Sequence, residues 1–334
     1  GVELKRLAQP IELDTLYLGG GTPSHLGPEG IKHLFEVLHD VLRPASAAEV
    51  TIEANPLDIS EASVEAFHRC GINRVSLGVQ SLNALTLSTL DRDHREDDVR
   101  RVMHLLLDSG FIVSVDLIIA APKQTLDAAS RDIEAITALG AQHVSVYCLT
   151  WEQGTAFWGK RARGTLMPVA EDIEHEMFEL AIDRLSSSGY QQYEVSNFAQ
   201  PEMMCRHNEA YWDCRPWEAF GPGAARFDGQ NRITNIRSTS AWIKNLIAGK
   251  GVTGDVDAMT PEGAARERLV LGLRRRRGVD RISFFQQSGF QVDDLAKKPI
   301  QEWVAAGFAD DDGEHVRLTR SGMLLSDSLW SAVL

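Results

Sequence analysis

One glycine-rich turn and four polar side chains spaced along the first third of the chain could bind a small polar ligand. The strand Thr15 to Leu18 runs straight into Gly19-Gly20-Gly21-Thr22-Pro23. Three adjacent glycines at the carboxyl end of a strand present bare backbone to a ligand. Glu53 closes a strand over 50–52, Gln80 closes a strand over 75–79, and Asp116 interrupts an otherwise apolar strand. Arg92 lies twelve residues past Gln80. A carboxylate and an amide beside such a turn suit an amino group or a ribose, and an Arg suits a carboxylate. A strand-end Glu or Gln can equally be a solvated terminus, and buried polar groups can pair with one another. The turn is not the dinucleotide G-x-G-x-x-G, and no Gly-Lys-Ser/Thr follows, which excludes a phosphate-binding P-loop.

A second constellation lies at Arg206-His207-Asn208-Glu209-Ala210-Tyr211-Trp212. His207 and Tyr211 are four residues apart, so on a helix they share a face. An aromatic cluster that packs a linker is the other reading of that spacing. The four cysteines, Cys70, Cys148, Cys205 and Cys214, form no C-x-x-C pair. Their scatter fits reduced thiols of a cytoplasmic protein and provides no zinc or iron–sulfur spacing.

The elements that must position these residues alternate. Ile31, Leu34, Phe35, Leu38 and Leu42 fall on one helical face, and Pro44 is expected to stop that helix. Ser60 can cap a helix carrying Val64 and Phe67. Helices are expected to end at Gly71, Gly110, Gly140 and Gly189. Each is followed by an apolar strand: Val75–Val79, Ile112–Ile119, Val144–Leu149 and Tyr190–Val195. A glycine just past a helix with a strand soon after is the usual αβ loop. The apolar run Val113 to Ile119 suits a parallel sheet buried on both faces. Five or six β/α units follow, hence an α/β fold: an open or partial barrel with its site at the carboxyl ends of the strands. From 201 to 254 the alternation stops. From about Asp255, two helical patterns, a strand at Val316–Thr319 and a closing helix through Leu324, Leu325 and Leu329 predict a small α-rich domain of winged-helix type.

With 334 residues, 43% hydrophobic and 24% charged, the chain has ample material for a core, and its net charge of −13 argues against non-specific binding to nucleic acid. No apolar run reaches the length of a membrane span. The chain does not open on a signal peptide, and it lacks a starting Met, as a fragment would. The basic run Arg274 to Arg277 is expected on a helix's last turn, solvated and favourable to the macrodipole.

Taken together, several motifs resemble one family. Gly19-Gly20-Gly21-Thr22-Pro23, Glu53-Ala54-Asn55-Pro56, Asn73 to Ser81, Arg92-Asp93-His94 and Ser114-Val115-Asp116-Leu117 occur in that family's order and spacing. They look like the radical S-adenosylmethionine family of oxygen-independent coproporphyrinogen III oxidases and its sister group, the heme chaperone HemW. Leu271-Gly272-Leu273-Arg274 and Arg317 to Gly322 resemble the family's C-terminal domain. Tyr147 to Phe157, and Tyr193 to Ala199 followed by Arg206 to Trp212, favour the chaperone branch.

The resemblance implies a partial (β/α)6-type radical S-adenosylmethionine barrel missing its first strand over 1–200. It also implies a connecting segment over 201–254 and a HemN-type C-terminal domain over 255–334. Gly20, Gly21 and Thr22 would meet the methionine end of S-adenosylmethionine. Glu53, Gln80, Arg92 and Asp116 would hold its polar groups and ribose. The His-Asn-x-x-Tyr signature would make His207 and Tyr211 the heme-binding residues, with His207 on the iron. The implied activity is heme binding and transfer to recipient hemoproteins, membrane hemoproteins among them. The alternative is oxidative decarboxylation of coproporphyrinogen III in porphyrin biosynthesis. The sequence departs from the family in three places. The C-x-x-x-C-x-x-C motif that holds a 4Fe–4S cluster on the family's first strand is absent, as expected either of a fragment whose parent protein carries the cluster or of a degenerate member. Ala120-Ala121-Pro122-Lys123-Gln124-Thr125 replaces Gly-Leu-Pro-Gly-Gln-Thr. Phe220 to Ala225 lacks a histidine after its Gly-x-Gly-Ala.

Overall fold

The structure, a computed structural model, describes residues 1–334 and divides into two compact units. Leu13–Glu36 with Pro44–Cys205 form one; Gly1–Glu12, Val37–Arg43 and Arg206–Leu334 form the other.

The first unit is built on a curled half-barrel sheet. Its elements run β1 (Ile11–Leu18), α1 (Gly27–His39), β2 (Leu42–Ala54), α2 (Glu61–Arg69), β3 (Arg74–Gln80), α3 (Ala84–Thr89), α4 (Glu96–Asp108), β4 (Ile112–Ile119), α5 (Leu126–Ala138), β5 (His143–Cys148), α6 (Ala156–Ala162), α7 (Glu171–Ser187), β6 (Gln191–Gln192) and β7 (Asn197–Ala199). The seven strands are ordered β1-β2-β3-β4-β5-β7-β6. Strands β2 to β5 are parallel neighbours, whereas β7 runs antiparallel to β5 and to β6. The segment expected as a sixth parallel strand over 190–195 is therefore a short hairpin on the sheet's edge.

The helix ends follow the glycine punctuation. Gly71, Gly110, Gly140 and Gly189 all take the left-handed conformation just past α2, α4, α5 and α7, where a Cβ would be strained. Ser60 caps α2 by accepting from the Ser63 amide, and Ser63 answers in a capping box. Pro44 does not stop a helix. Helix α1 ends at His39, and Pro44 lies inside β2. Pairing of β2 with β3 begins only at Thr51, so Pro44 takes no β3 partner and its missing amide proton is tolerated there.

Alternation along the strands sorts their side chains onto two faces. Ile52, Val75, Leu77, Val79, Val113, Val115, Val144 and Val146 are buried on the helix-covered face. Burying each contributes roughly 1.5–3 kcal/mol. The opposite face carries Thr51, Glu53, Arg74, Ser76, Ser114, Asp116, His143 and Ser145. Near the strand starts this face is buried as well. Towards the carboxyl ends Glu53, Gly78, Gln80 and Asp116 open to partial exposure.

In the second unit, α8 (Arg206–Trp212), β8 (Ala225–Phe227), β9 (Asn231–Asn235), α9 (Thr239–Ile247) and β10 (Thr253–Ala258) precede α10 (Pro261–Leu273), β11 (Val279–Asp280), α11 (Arg281–Ser288), α12 (Val292–Ala305), β12 (Ala309–Asp311), β13 (His315–Leu318), α13 (Arg320–Leu324) and α14 (Ser326–Trp330). The region over 201–254, read as irregular, holds an antiparallel sheet ordered β10-β9-β8. The closing helix is two helices, broken at Leu325, where ψ turns to 10°. A second three-stranded sheet, β11-β13-β12, and helices α10 to α12 make the winged-helix-like part. The run Arg274–Arg277 lies past the end of α10 and is not simply solvated. The Arg275 side chain is 11% exposed and ion-paired to Asp213, and Arg277 reaches Asp213 at 3.1 Å and Glu209 at 3.4 Å.

Candidate functional site

The mouth of the half-barrel collects most of the residues singled out in the first third of the chain. Glu53 is fixed from two sides: Tyr17 donates its hydroxyl to Oε1 at 3.0 Å, and the Gly20 amide donates to Oε2 at 3.1 Å. A Cβ on Gly19 would lie 2.6 Å from Cε1 of Tyr17 and 2.8 Å from Oε1 of Glu53, so only glycine passes between them. Gly20 and Gly21 turn away with φ of 82° and 130° and with open space around each. Thr22 then leads into a single 3-10 turn over Pro23–Leu26, which Ser24 anchors by donating to Asp58 at 2.5 Å.

Asp116 sits beside this turn. In register it pairs with Gly78 of β3 and Ser145 of β5. Ser76 donates to its two oxygens at 3.4 and 3.3 Å. Burial pushes its carboxyl up to about 6, against the hydrogen bonds from Ser145 and Ser76, and the Glu53 charge adds to the rise. The site thus holds one fixed carboxylate and one poised near neutrality. Gln80 closes β3 in the left-handed region, φ 64°. Its amide folds back over Gly78, where an added Cβ would stand 3.1 Å from Nε2.

Arg92 is not drawn into this group. It is exposed and makes no ion pair with Glu53 or Asp116. It lines an outer cleft of about 1220 Å³ with Asn83, His94, Arg95, Arg131 and Asp132.

Sequence reasoning missed the buried polar cluster at the strand starts. Arg74, 1% exposed, donates to Ser114 Oγ at 2.9 and 3.1 Å, to Glu49 at 3.3 Å and to the Met203 carbonyl at 3.1 and 3.2 Å. Cys205 donates its amide to the Tyr193 hydroxyl, which also meets Nε2 of His143 at 2.8 Å. These bonds tie segment 203–205 to Glu49 within β2 and to the first residues of β3, β4 and β5. The one available signal was a cation opening an apolar strand.

His207 and Tyr211 lie in the second unit on α8, which has no fully buried residue. Nε2 of His207 and the Tyr211 hydroxyl are 2.9 Å apart, and the rings meet edge to face. Tyr211 packs on Trp217 with centroids 4.6 Å apart, and Trp217 packs on Phe227 at 5.0 Å. Trp217 is locked to β8 by two backbone bonds with Phe227 and by its indole donating to the Ala225 carbonyl at 2.7 Å. The end of α8 is held by Arg268, which donates to the Asp213 carbonyl at 3.0 Å, and by Arg275 and Arg277 on the Asp213 carboxylate.

Comparison with known proteins defines the class. Residues 2–136 match the Radical SAM superfamily, and residues 259–325 match the HemN C-terminal domain. Coproporphyrinogen III oxidase (HemN) from Escherichia coli shares the fold, with a TM-score of 0.86 at 21% identity over 99% of this chain and 81% of that one. The heme chaperone HemW of Bacillus subtilis (strain 168) is 33% identical over 99% of this chain and 88% of its own length. The heme chaperone HemW of Escherichia coli (strain K12) is 30% identical over 96% of this chain and 84% of its own length. The chain belongs to the HemW family.

Proposed function

We propose that this protein binds heme through the α8 face that carries His207 and Tyr211 and hands it to recipient hemoproteins. The carrying observation is the partly exposed aromatic ladder His207–Tyr211–Trp217, backed by the buried Phe227 and fixed at that end to β8. Heme is a flat apolar disc with an iron and two propionates. Such a ladder offers it ring faces, an imidazole and a phenol, both known axial ligand types. Arg206 and Arg215 flank the segment and suit propionates. The relatives named heme chaperones support the same reading.

The half-barrel mouth supports S-adenosylmethionine as a second ligand. The open space beside the bare backbone of Gly20 and Gly21, with Thr22 beyond it, suits the methionine end. Glu53, Gln80 and Asp116 suit the amino group and ribose hydroxyls. The residues of this chain do not fit a 4Fe–4S cluster. Burial pushes the Cys70 and Cys214 thiols up, away from the thiolate form, and Cys205 is buried against Glu49 at 3.5 Å.

Heme transfer is tested by mixing the heme-loaded chain with an apo-hemoprotein and following the Soret band. Transfer at a rate that rises with acceptor concentration is expected. A rate independent of acceptor would mean simple dissociation and would contradict a chaperone role.

A further inference from the structure

We propose that Asp132, on α5, is a positioning residue for Gln80: it holds the strained turn that delivers the Gln80 amide to the barrel mouth. The inference rests on the reading of Gln80 as part of an S-adenosylmethionine site. Three observations carry it.

The first is strain. Gln80 bears a side chain at φ 64°, a conformation that costs an L-residue roughly 1–2 kcal/mol. The chain tightens again at once, with the Ser81 amide donating to the Val79 carbonyl at 2.7 Å. Such geometry persists only where the surroundings over-determine it.

The second is what over-determines it. Asp132 is 5% exposed and lies fifty residues from the turn in sequence. Its Oδ2 accepts from the Ser81 hydroxyl at 2.5 Å, and its Oδ1 accepts from the Leu82 amide at 2.9 Å. Ser81 Oγ in turn accepts from the Asn83 amide at 3.0 Å. On the other side His94, 2% exposed, meets the Val79 carbonyl through Nε2 at 2.8 Å. Residues 79 to 83 are therefore gripped from α5 and from the segment before α4, while Gln80 itself points the other way.

The third is where Gln80 goes. Its amide lies over Gly78, whose register partner on β4 is Asp116. A relaxed φ at 80 would swing the side chain off that position. A buried carboxylate is an expensive anchor, since desolvation opposes its charge, and the Ser81 and Leu82 it holds are themselves buried. Here it satisfies two donors at a point where one side chain must be aimed.

The test is a cycle of S-adenosylmethionine affinities, read by ligand-observed NMR on wild type, Gln80→Ala, Asp132→Ala, Asp132→Asn and the Gln80→Ala/Asp132→Ala pair. Gln80→Ala should weaken binding about fivefold, worth ~1 kcal/mol. Asp132→Ala should match it, and the double variant should bind no worse than either single one. Asp132→Asn keeps an acceptor for Leu82 and should fall between, and it provides the comparison if Asp132→Ala fails to fold. Weakened binding in Gln80→Ala with unchanged binding in both Asp132 variants would overturn the positioning role and leave the ligand reading standing. Additive losses would overturn it too, because Asp132 would then act elsewhere. Unchanged binding in Gln80→Ala would overturn the ligand reading, and this proposal with it.

Discussion

Replacing Asp116 by Asn should change the pH dependence of stability in a defined direction. The carboxyl is raised from 3.8 to about 6, chiefly because burial disfavours the ionised form. Its pKa is higher folded than unfolded, so its favourable contribution is complete below about pH 3.8 and is lost as pH rises through about 6. The full difference corresponds to about 3 kcal/mol, and partial solvent access at the barrel mouth reduces it to about 2 kcal/mol. Asn mimics the neutral form and lacks this term. Asp116→Asn and wild type should therefore be about equally stable at pH 4. By pH 7.5 the variant should be more stable by about 2 kcal/mol. The assay is urea unfolding of both proteins at half-unit pH steps, taking the difference so that every other titrating group cancels. A difference that stays flat from pH 4 to 7.5, or one that favours wild type as pH rises, would refute the reasoning.

Other substitutions test other parts of the account. Arg74→Leu removes the guanidinium that Glu49, Ser114 and the Met203 carbonyl share and should lower the unfolding free energy by about 3–5 kcal/mol, measured by denaturant titration; a loss under ~1 kcal/mol would show the cluster to be dispensable. Gly322→Ala drives a methyl group into the Phe308 carbonyl and should cost about 2–3 kcal/mol, whereas Gly78→Ala meets only the movable end of Gln80 and should cost less than ~1 kcal/mol; equal effects would contradict the packing. S-adenosylmethionine should bind this chain with a dissociation constant of order 0.1–1 mM, about 4–5.5 kcal/mol, because only the barrel mouth holds it; micromolar affinity by calorimetry would contradict that.

Much of this was legible in the sequence because the signals were local. Gly71, Gly110, Gly140 and Gly189 announced four αβ loops, since a left-handed residue past a helix calls for glycine. Glu53, Gln80 and Asp116 stood out as polar residues on apolar strands, and the structure brings them to one mouth. What stayed hidden depends on distant partners. Asp132 reads as an ordinary helix acid until Ser81 and Leu82 are folded against it. Arg275 reads as part of a solvated run until Asp213 is placed beside it. Strands β8 to β10 escaped notice because they are short, and every residue of β10 is exposed, so no apolar alternation marks them. Arg92 looked like a member of the ligand site because its spacing fitted, yet its side chain lines an outer cleft.

Heme titration of the wild type, His207→Ala and Tyr211→Phe, followed at the Soret band, tests the central claim most directly. His207 is the expected iron ligand, since a neutral imidazole coordinates at pH 7 whereas a phenol must first lose its proton. Tyr211→Phe keeps the ring on Trp217 and loses only the hydroxyl that meets His207. The account predicts saturable binding by wild type, at least about tenfold weaker binding in His207→Ala, worth about 1.4 kcal/mol, and a smaller loss in Tyr211→Phe. Unchanged affinity and an unchanged Soret band in His207→Ala would mean that α8 is aromatic packing and would contradict the account.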